Sequence, residues 1–182
     1  MPPRHDQDAE CPSRPSRALE GAFVILDNIR SAFNVGSIFR AADACGLEKI
    51  YLCGITAAPP NSKLDKTALG ATEFVSWEYC RSTHEALDIL QTAGIPILGL
   101  EIRPESTPLW ETRFPERVGI VLGHEVCGVS DDILARADQL VHLPMMGIKN
   151  SHNVATACGI VLFEALRQRL SRASQHREHS DE

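Results

Sequence analysis

No apolar run in this 182-residue chain approaches the roughly 20 residues that a membrane-spanning helix needs. The N-terminus has no apolar core of the kind a secretory signal carries, so a cytoplasmic location is expected. Closely spaced cysteines are also missing. Cys11, Cys45, Cys53, Cys80, Cys127 and Cys158 show no C-x-x-C spacing and mostly fall inside apolar segments. They read as buried thiols in a reducing compartment, with neither a disulfide framework nor a zinc site. A basic excess is lacking as well. Eighteen Lys and Arg face 24 Asp and Glu, a formal net charge of −6, so any nucleic-acid partner must be held by a local basic patch. Two further chemistries fail by a few positions. A dinucleotide loop needs G-x-G-x-x-G after the first strand, where only Gly36 stands. A zinc-protease H-E-x-x-H opens at His124-Glu125 but has Gly128 in place of the second His, so no metal is expected.

What remains suits one soluble domain. The length allows a sizeable core, and 43% hydrophobic residues with scattered charge read as globular. Residues 1–18 hold Pro2, Pro3, Pro12 and Pro15 among charges, a composition that cannot offset ordering entropy, so a disordered tail is expected there. The folded domain is assigned to residues 19–171, and 172–182 form a polar C-terminal tail. Strands are expected over 22–26, 49–53, 74–77, 95–100, 118–122 and 139–143. Helices are expected over 34–45 (closed by Gly46), 66–69, 84–92, 131–137 (capped by Ser130) and from about 155 to 170. The strands are short continuous apolar runs, as in a parallel sheet covered on both faces, and their alternation with helices predicts a doubly wound α/β domain.

Three stretches carry candidate chemistry. Residues 141–170 leave a strand at Pro144, pass Gly147 and enter a long helix, with Ser151 as the expected N-cap. Small residues (Ala155, Thr156, Ala157, Cys158, Gly159) open that helix and let a chain segment or a ligand approach its backbone. The stretch is either an ordinary strand-to-helix connection or a small-molecule site at the carboxyl end of a sheet. In residues 26–46, Asn34, Ser37 and Arg40 follow one another up a helix flank, while Ile38, Ala42 and Cys45 face the sheet. Arg40 beside Asn and Ser at a helix N-terminus can grip a phosphate, or it can be a solvated surface charge. In residues 118–130, a buried strand runs into Gly123, His124, Glu125 and Gly128, where glycine permits a tight turn and close approach of a ligand. His142 and His152 lie in apolar contexts and read as satisfied core histidines.

Together these stretches resemble the SpoU family of RNA ribose 2′-O-methyltransferases, within the SPOUT superfamily. N-V-G-S-I-F-R carries Asn34 and Arg40 at the spacing of the first motif. L-G-H-E carries Gly123 and Glu125 of the second. Pro144, Met145, Gly147, Ser151, Asn153 and Val154 match the third, and K-T-A-L-G-A (66–71) resembles the segment between the first two. The family usually has Leu where His152 stands. The resemblance spans roughly residues 20–170. It implies a C-terminal trefoil knot, S-adenosyl-L-methionine as cofactor, and a homodimer with the site near its interface. It also implies a cofactor pocket at Leu100, Gly123, Leu143, Met145, Gly147, Ser151, His152 and Asn153, and a catalytic group of Arg40, Asn34, Glu125 and Asn153. The expected substrate is tRNA or rRNA, held by a basic patch of Arg30, Arg40, Lys63, Lys66 and Lys149.

A guanidinium scarcely deprotonates, so the physical role expected of Arg40 is to clamp a phosphate and stabilise oxyanion charge while a phosphate or a water takes the hydroxyl proton. Two alternatives stay open. A catalytically silent RNA-binding relative is compatible with the acidic charge and with His152. A nucleotide-dependent oxidoreductase is disfavoured by the missing glycine fingerprint.

Overall fold

The computed structural model describes residues 18–149 and 151–178. The expected N-terminal tail therefore falls, but for Ala18, outside the described residues, as do residues 179–182. Strand β1 (Leu19–Asp27) is buried along almost its whole length and leads through Ser31 into helix α1 (Ala32–Cys45). The Ser31 hydroxyl accepts from the Asn34 N–H, and Gly46 closes the helix in the left-handed region at φ 62°. Strand β2 (Leu47–Cys53) follows, then helix α2 (Ser62–Ala68), capped by Asn61, and a 3-10 turn over Ala71–Glu73. Next come strand β3 (Ser76–Cys80), helix α3 (Thr83–Thr92) and strand β4 (Ile97–Leu100). The chain continues through β5 (Thr107–Pro108), β6 (Val118–Leu122), α4 (Asp131–Leu134), β7 (Gln139–His142) and the 25-residue α5 (Val154–Glu178). No helix among the described residues is long and apolar enough to cross a membrane.

The seven strands form one sheet in the order β3-β2-β1-β6-β4-β7-β5, and every ladder is parallel. Alternation along each strand divides the core in two. Ala22, Val24 and Leu26 of β1, with Ile120 and Leu122 of β6, pack under α1, α2 and α5; Phe23, Ile25 and Val121 pack under α3 and α4. The expected doubly wound α/β architecture is thus observed. Helix α2 lies against α1 at Gly36, where a Cβ would sit 2.1 Å from Thr67 Oγ1 and 2.3 Å from the Leu64 carbonyl oxygen. Only glycine allows that approach.

Several boundaries differ from expectation. Strand β5 pairs two residues alone, too short for a periodic signal. Helix α5 does not end near residue 171 but runs on through Glu178. Arg169 of that helix donates to the carbonyls of Ala18, Glu20 and Glu116, and so ties α5 to the start of β1. Cys45, Cys53, Cys80 and Cys158 are free buried thiols as expected, but Cys127 is exposed.

Candidate active site

The pairings Leu26–Leu122, Leu100–Leu122 and Leu100–Val141 bring the carboxyl ends of β1, β6, β4 and β7 level with one another. In an open α/β sheet this is the edge where ligands bind. A cavity of about 290 Å3 lies there, lined by residues 100–102, 122–128, 142–143, Ser151, His152, Val154 and Ala157. Five of the eight expected cofactor residues line it: Leu100, Gly123, Leu143, Ser151 and His152. Met145, Gly147 and Asn153 are not among its lining residues, although they lie on the same connecting segment.

The loop after β6 is fixed by its own backbone. His124 and Gly128 exchange backbone hydrogen bonds of 3.1 and 2.8 Å. A Cβ on Gly123 would lie 2.2 Å from the carbonyl carbon of Gly128, so the turn closes only with glycine at that position. His124 Nδ1 accepts from the N–H groups of Val126 and Cys127, which leaves Nε2 to carry the ring proton.

This loop delivers Glu125 to the start of α1. One carboxylate oxygen accepts from the Arg30 N–H at 2.9 Å, the other from the Ser31 N–H and the Asn34 side-chain amide, both at 3.0 Å. Burial alone would raise the Glu125 pKa. The bonds from the Arg30 N–H, its own N–H, the Ser31 N–H and Asn34 outweigh burial and hold the carboxyl below the ordinary carboxylate value. The Asn34 Oδ1 accepts from Asn153 Nδ2 at 3.1 Å, and Asn153 Oδ1 in turn accepts from the N–H groups of Ala155 and Thr156. Three stretches far apart in sequence therefore meet in one hydrogen-bonded chain. Asn153, not the expected Ser151, caps α5, because the helix starts at Val154 and Ser151 lies too far ahead of its first N–H groups.

Among the other candidates, Arg40 is exposed two turns up α1 and forms no ion pair among the described residues. Arg30, Lys63, Lys66 and Lys149 are all exposed too. His152 is exposed at the cavity, not a core histidine. His142 is half-buried at the cavity and not in the core as expected, but its ring has the expected partner: Nδ1 lies 2.8 Å from Ser106 Oγ. Ser106 spends its single proton on the Arg103 carbonyl, so His142 Nδ1 is the donor to Ser106.

Sequence reasoning missed Glu101. This residue stands at the carboxyl end of β4, lines the cavity and accepts from the N–H groups of Val129 (2.9 Å) and Ile102 (3.1 Å). A carboxylate just past a strand end, at the ligand edge of a parallel sheet, was the available signal. No group of His, Cys, Asp and Glu suited to a metal ion occurs among the described residues.

The chain is similar to several known methyltransferases. The tRNA (guanosine(18)-2′-O)-methyltransferase of Thermus thermophilus is 30% identical over 158 residues, covering 87% of this chain and 80% of that protein. The 23S rRNA (guanosine-2′-O-)-methyltransferase RlmB of Escherichia coli is 31% identical over 168 residues, 92% of this chain and 69% of that one. The TrmH/SpoU tRNA modifying enzyme of A. aeolicus superposes with a TM-score of 0.78 at 27% identity, over 87% of this chain and 82% of that chain. The SpoU methyltransferase AviRb of Streptomyces viridochromogenes, solved with the cofactor AdoMet, gives 0.77 at 26% identity over 88% of this chain. The present chain spans only 63% of the AviRb chain. The model of the SpoU rRNA methylase family matches residues 21–163, which include the whole Asn34–Glu125–Asn153 arrangement, and the chain belongs to that family.

Proposed function

We propose that this chain is an S-adenosyl-L-methionine-dependent methyltransferase acting on the ribose 2′-hydroxyl of tRNA or rRNA. The observation that carries the reading is the Asn153–Asn34–Glu125 chain of hydrogen bonds, set beside the cavity. The cavity suits the cofactor chemically. Leu100, Leu122, Leu143, Val154 and Ala157 offer an apolar bed for a nucleoside, Glu101 and Glu125 complement a sulfonium cation, and no lysine or arginine lines the wall. Leu100, Gly123, Leu143, Ser151 and His152 would hold the cofactor, with Met145, Gly147 and Asn153 on the adjoining segment.

The bound cofactor supplies a methyl group on a sulfonium centre. The chain's own residues have to align the ribose and ease loss of its proton, and alignment can account for about 7–11 kcal/mol of a barrier. The Arg40 guanidinium grips an RNA phosphate and stabilises charge developing on the ribose oxygen; the phosphate or a water takes the proton. Glu125 already accepts three hydrogen bonds from neighbouring residues and is held ionised, so it acts as a positioning residue that locks Asn34 and the 30–31 backbone. Arg30, Lys66 and Lys149, with Lys63, form the patch that binds RNA despite the net charge of −6.

A homodimer completes this reading. Phe163 and Leu170, seven residues apart on one face of α5, are 52% and 56% exposed and offer an apolar stripe to a second copy. Strand β7, last in sequence yet lying between β4 and β5, supports assigning a trefoil knot to the C-terminal part. The proposed compartment is the cytoplasm, where tRNA and rRNA are available. The test is transfer of labelled methyl from S-adenosyl-L-methionine to total tRNA and rRNA, followed by mapping of the modified nucleotide. Label on a ribose 2′-oxygen is expected. RNA binding without transfer would instead identify a silent relative.

A further inference from the structure

The cavity holds two carboxylates in different states. Glu125 is engaged by the α1 start and the Asn34 amide. Each Glu101 oxygen accepts one backbone N–H, from Val129 or Ile102, and keeps acceptor capacity. The Glu101 backbone is anchored as well, its N–H donating to the Val141 carbonyl at 3.0 Å. Gly128, at φ 69°, is the position where the loop passes this carboxylate, and a Cβ there would lie 2.2 Å from Glu101 Oε2. Glu101 is therefore a fixed pair of adjacent acceptors at the β4 end of the cavity.

Resting on the cofactor reading above, we infer that Glu101 is a specificity-determining residue that accepts the vicinal 2′- and 3′-hydroxyls of the cofactor's own ribose. Two neighbouring O–H donors match two neighbouring carboxylate oxygens, whereas the adenine amine offers its donors on a single nitrogen. The amino-acid end is a zwitterion: its ammonium could meet Glu101 but carries its donors on one nitrogen, and its carboxylate would then lie close to a second carboxylate, with no Lys or Arg lining the cavity. The apolar residues Leu100, Leu122 and Leu143 suit the adenine ring.

Calorimetry on the full chain tests this with three ligands: S-adenosylhomocysteine, 5′-methylthioadenosine (which lacks the amino-acid end) and 2′,3′-dideoxy-5′-methylthioadenosine. The wild type is expected to prefer 5′-methylthioadenosine over its dideoxy analogue by about 10-fold or more, the scale of a hydrogen bond to a charged group. Glu101→Gln should weaken both diol ligands by a similar factor and leave the dideoxy analogue within about 2-fold, since only diol recognition is removed. Equal wild-type affinity for the diol and dideoxy ligands overturns the inference without any variant. So does a Glu101→Gln loss that extends to the dideoxy analogue, which would mean a collapsed 124–129 loop, or one confined to S-adenosylhomocysteine, which would place the amino-acid end there. Wild-type protein that binds none of the three overturns the cofactor reading itself.

Discussion

Asn153 donates its side-chain amide to Asn34 across 3.1 Å and 119 residues of sequence, and the direction of that bond is fixed from both ends. Glu125 only accepts, so Asn34 must turn its Nδ2 towards it; the helix N–H groups only donate, so Asn153 must turn its Oδ1 towards them. Each asparagine is left with one orientation. Asn34→Asp should therefore cost more than Asn34→Ala, because it sets a second carboxylate about 3.0 Å from Glu125 Oε1. The expected loss is about 1–3 kcal/mol, greatest at neutral pH and partly recovered on acidification, where one carboxyl can take a proton and donate again. Thermal melts of the two variants across pH check it; equal losses at every pH would refute the fixed polarity.

Arg40→Ala should leave the fold and S-adenosylhomocysteine affinity near the wild type, since Arg40 is exposed on α1 and does not line the cavity. Single-turnover methyl transfer should fall by at least ~100-fold, the scale of losing one preorganised donor. Arg40→Lys should not rescue it, because an ammonium lacks the planar fork. A near-wild-type rate in Arg40→Ala would remove Arg40 from the mechanism.

Glu125 sets a pH dependence with a definite sign. Its folded pKa is depressed below the ordinary 4.5, so the stability it contributes is fully present above that value and is lost as pH falls through the folded value. Glu125→Gln keeps the shape without the charge. The stability gap between wild type and Glu125→Gln is expected to be constant around neutral pH and to narrow below 4.5. Denaturant melts along the pH series measure the gap, and one that widens on acidification would contradict the assignment.

Thiol chemistry provides a check on the cavity that does not depend on activity. Burial pushes Cys45 and Cys80 up to about 11 and Cys158 to about 12, and raises Cys53 as well. Cys127 is exposed and lines the cavity. Among the described cysteines, mild alkylation of the native protein should mark Cys127 first, and S-adenosylhomocysteine should slow that labelling several-fold. Peptide mapping that finds Cys127 labelled at the same rate with and without ligand would place the ligand elsewhere.

Much of the fold was legible because burial imposes local patterns. The run V-G-I-V-L predicts β6 at its observed bounds, and Gly46 marks the end of α1 where the backbone turns left-handed. Asn34, Gly123 and Glu125 stood out in their own stretches, but only the family resemblance joined them with Asn153 in one site, since nothing periodic links residues so far apart. What escaped depends on long-range partners. Asn153 takes the cap expected of Ser151 because its amide also answers Asn34. Glu101 becomes visible only when β4 is set beside the 124–129 loop. The start of α2 at Ser62 follows from the Asn61 cap, which the weakly periodic 62–69 stretch does not announce.

The strand order has a consequence for the chain as it leaves the ribosome. Strand β1 pairs on one side with β2, its near neighbour in sequence, and on the other with β6, which begins only at Val118. Until β6 is made, the flank of β1 through Val24, Ile25 and Leu26 stands as an open, apolar edge, a template for pairing with another nascent chain. At synthesis rates of about 5–20 residues per second, the interval between β1 and β6 lasts from about 5 to 20 s. A chain truncated before Val118 would keep that edge permanently, so premature termination should yield aggregates and not a smaller folded protein.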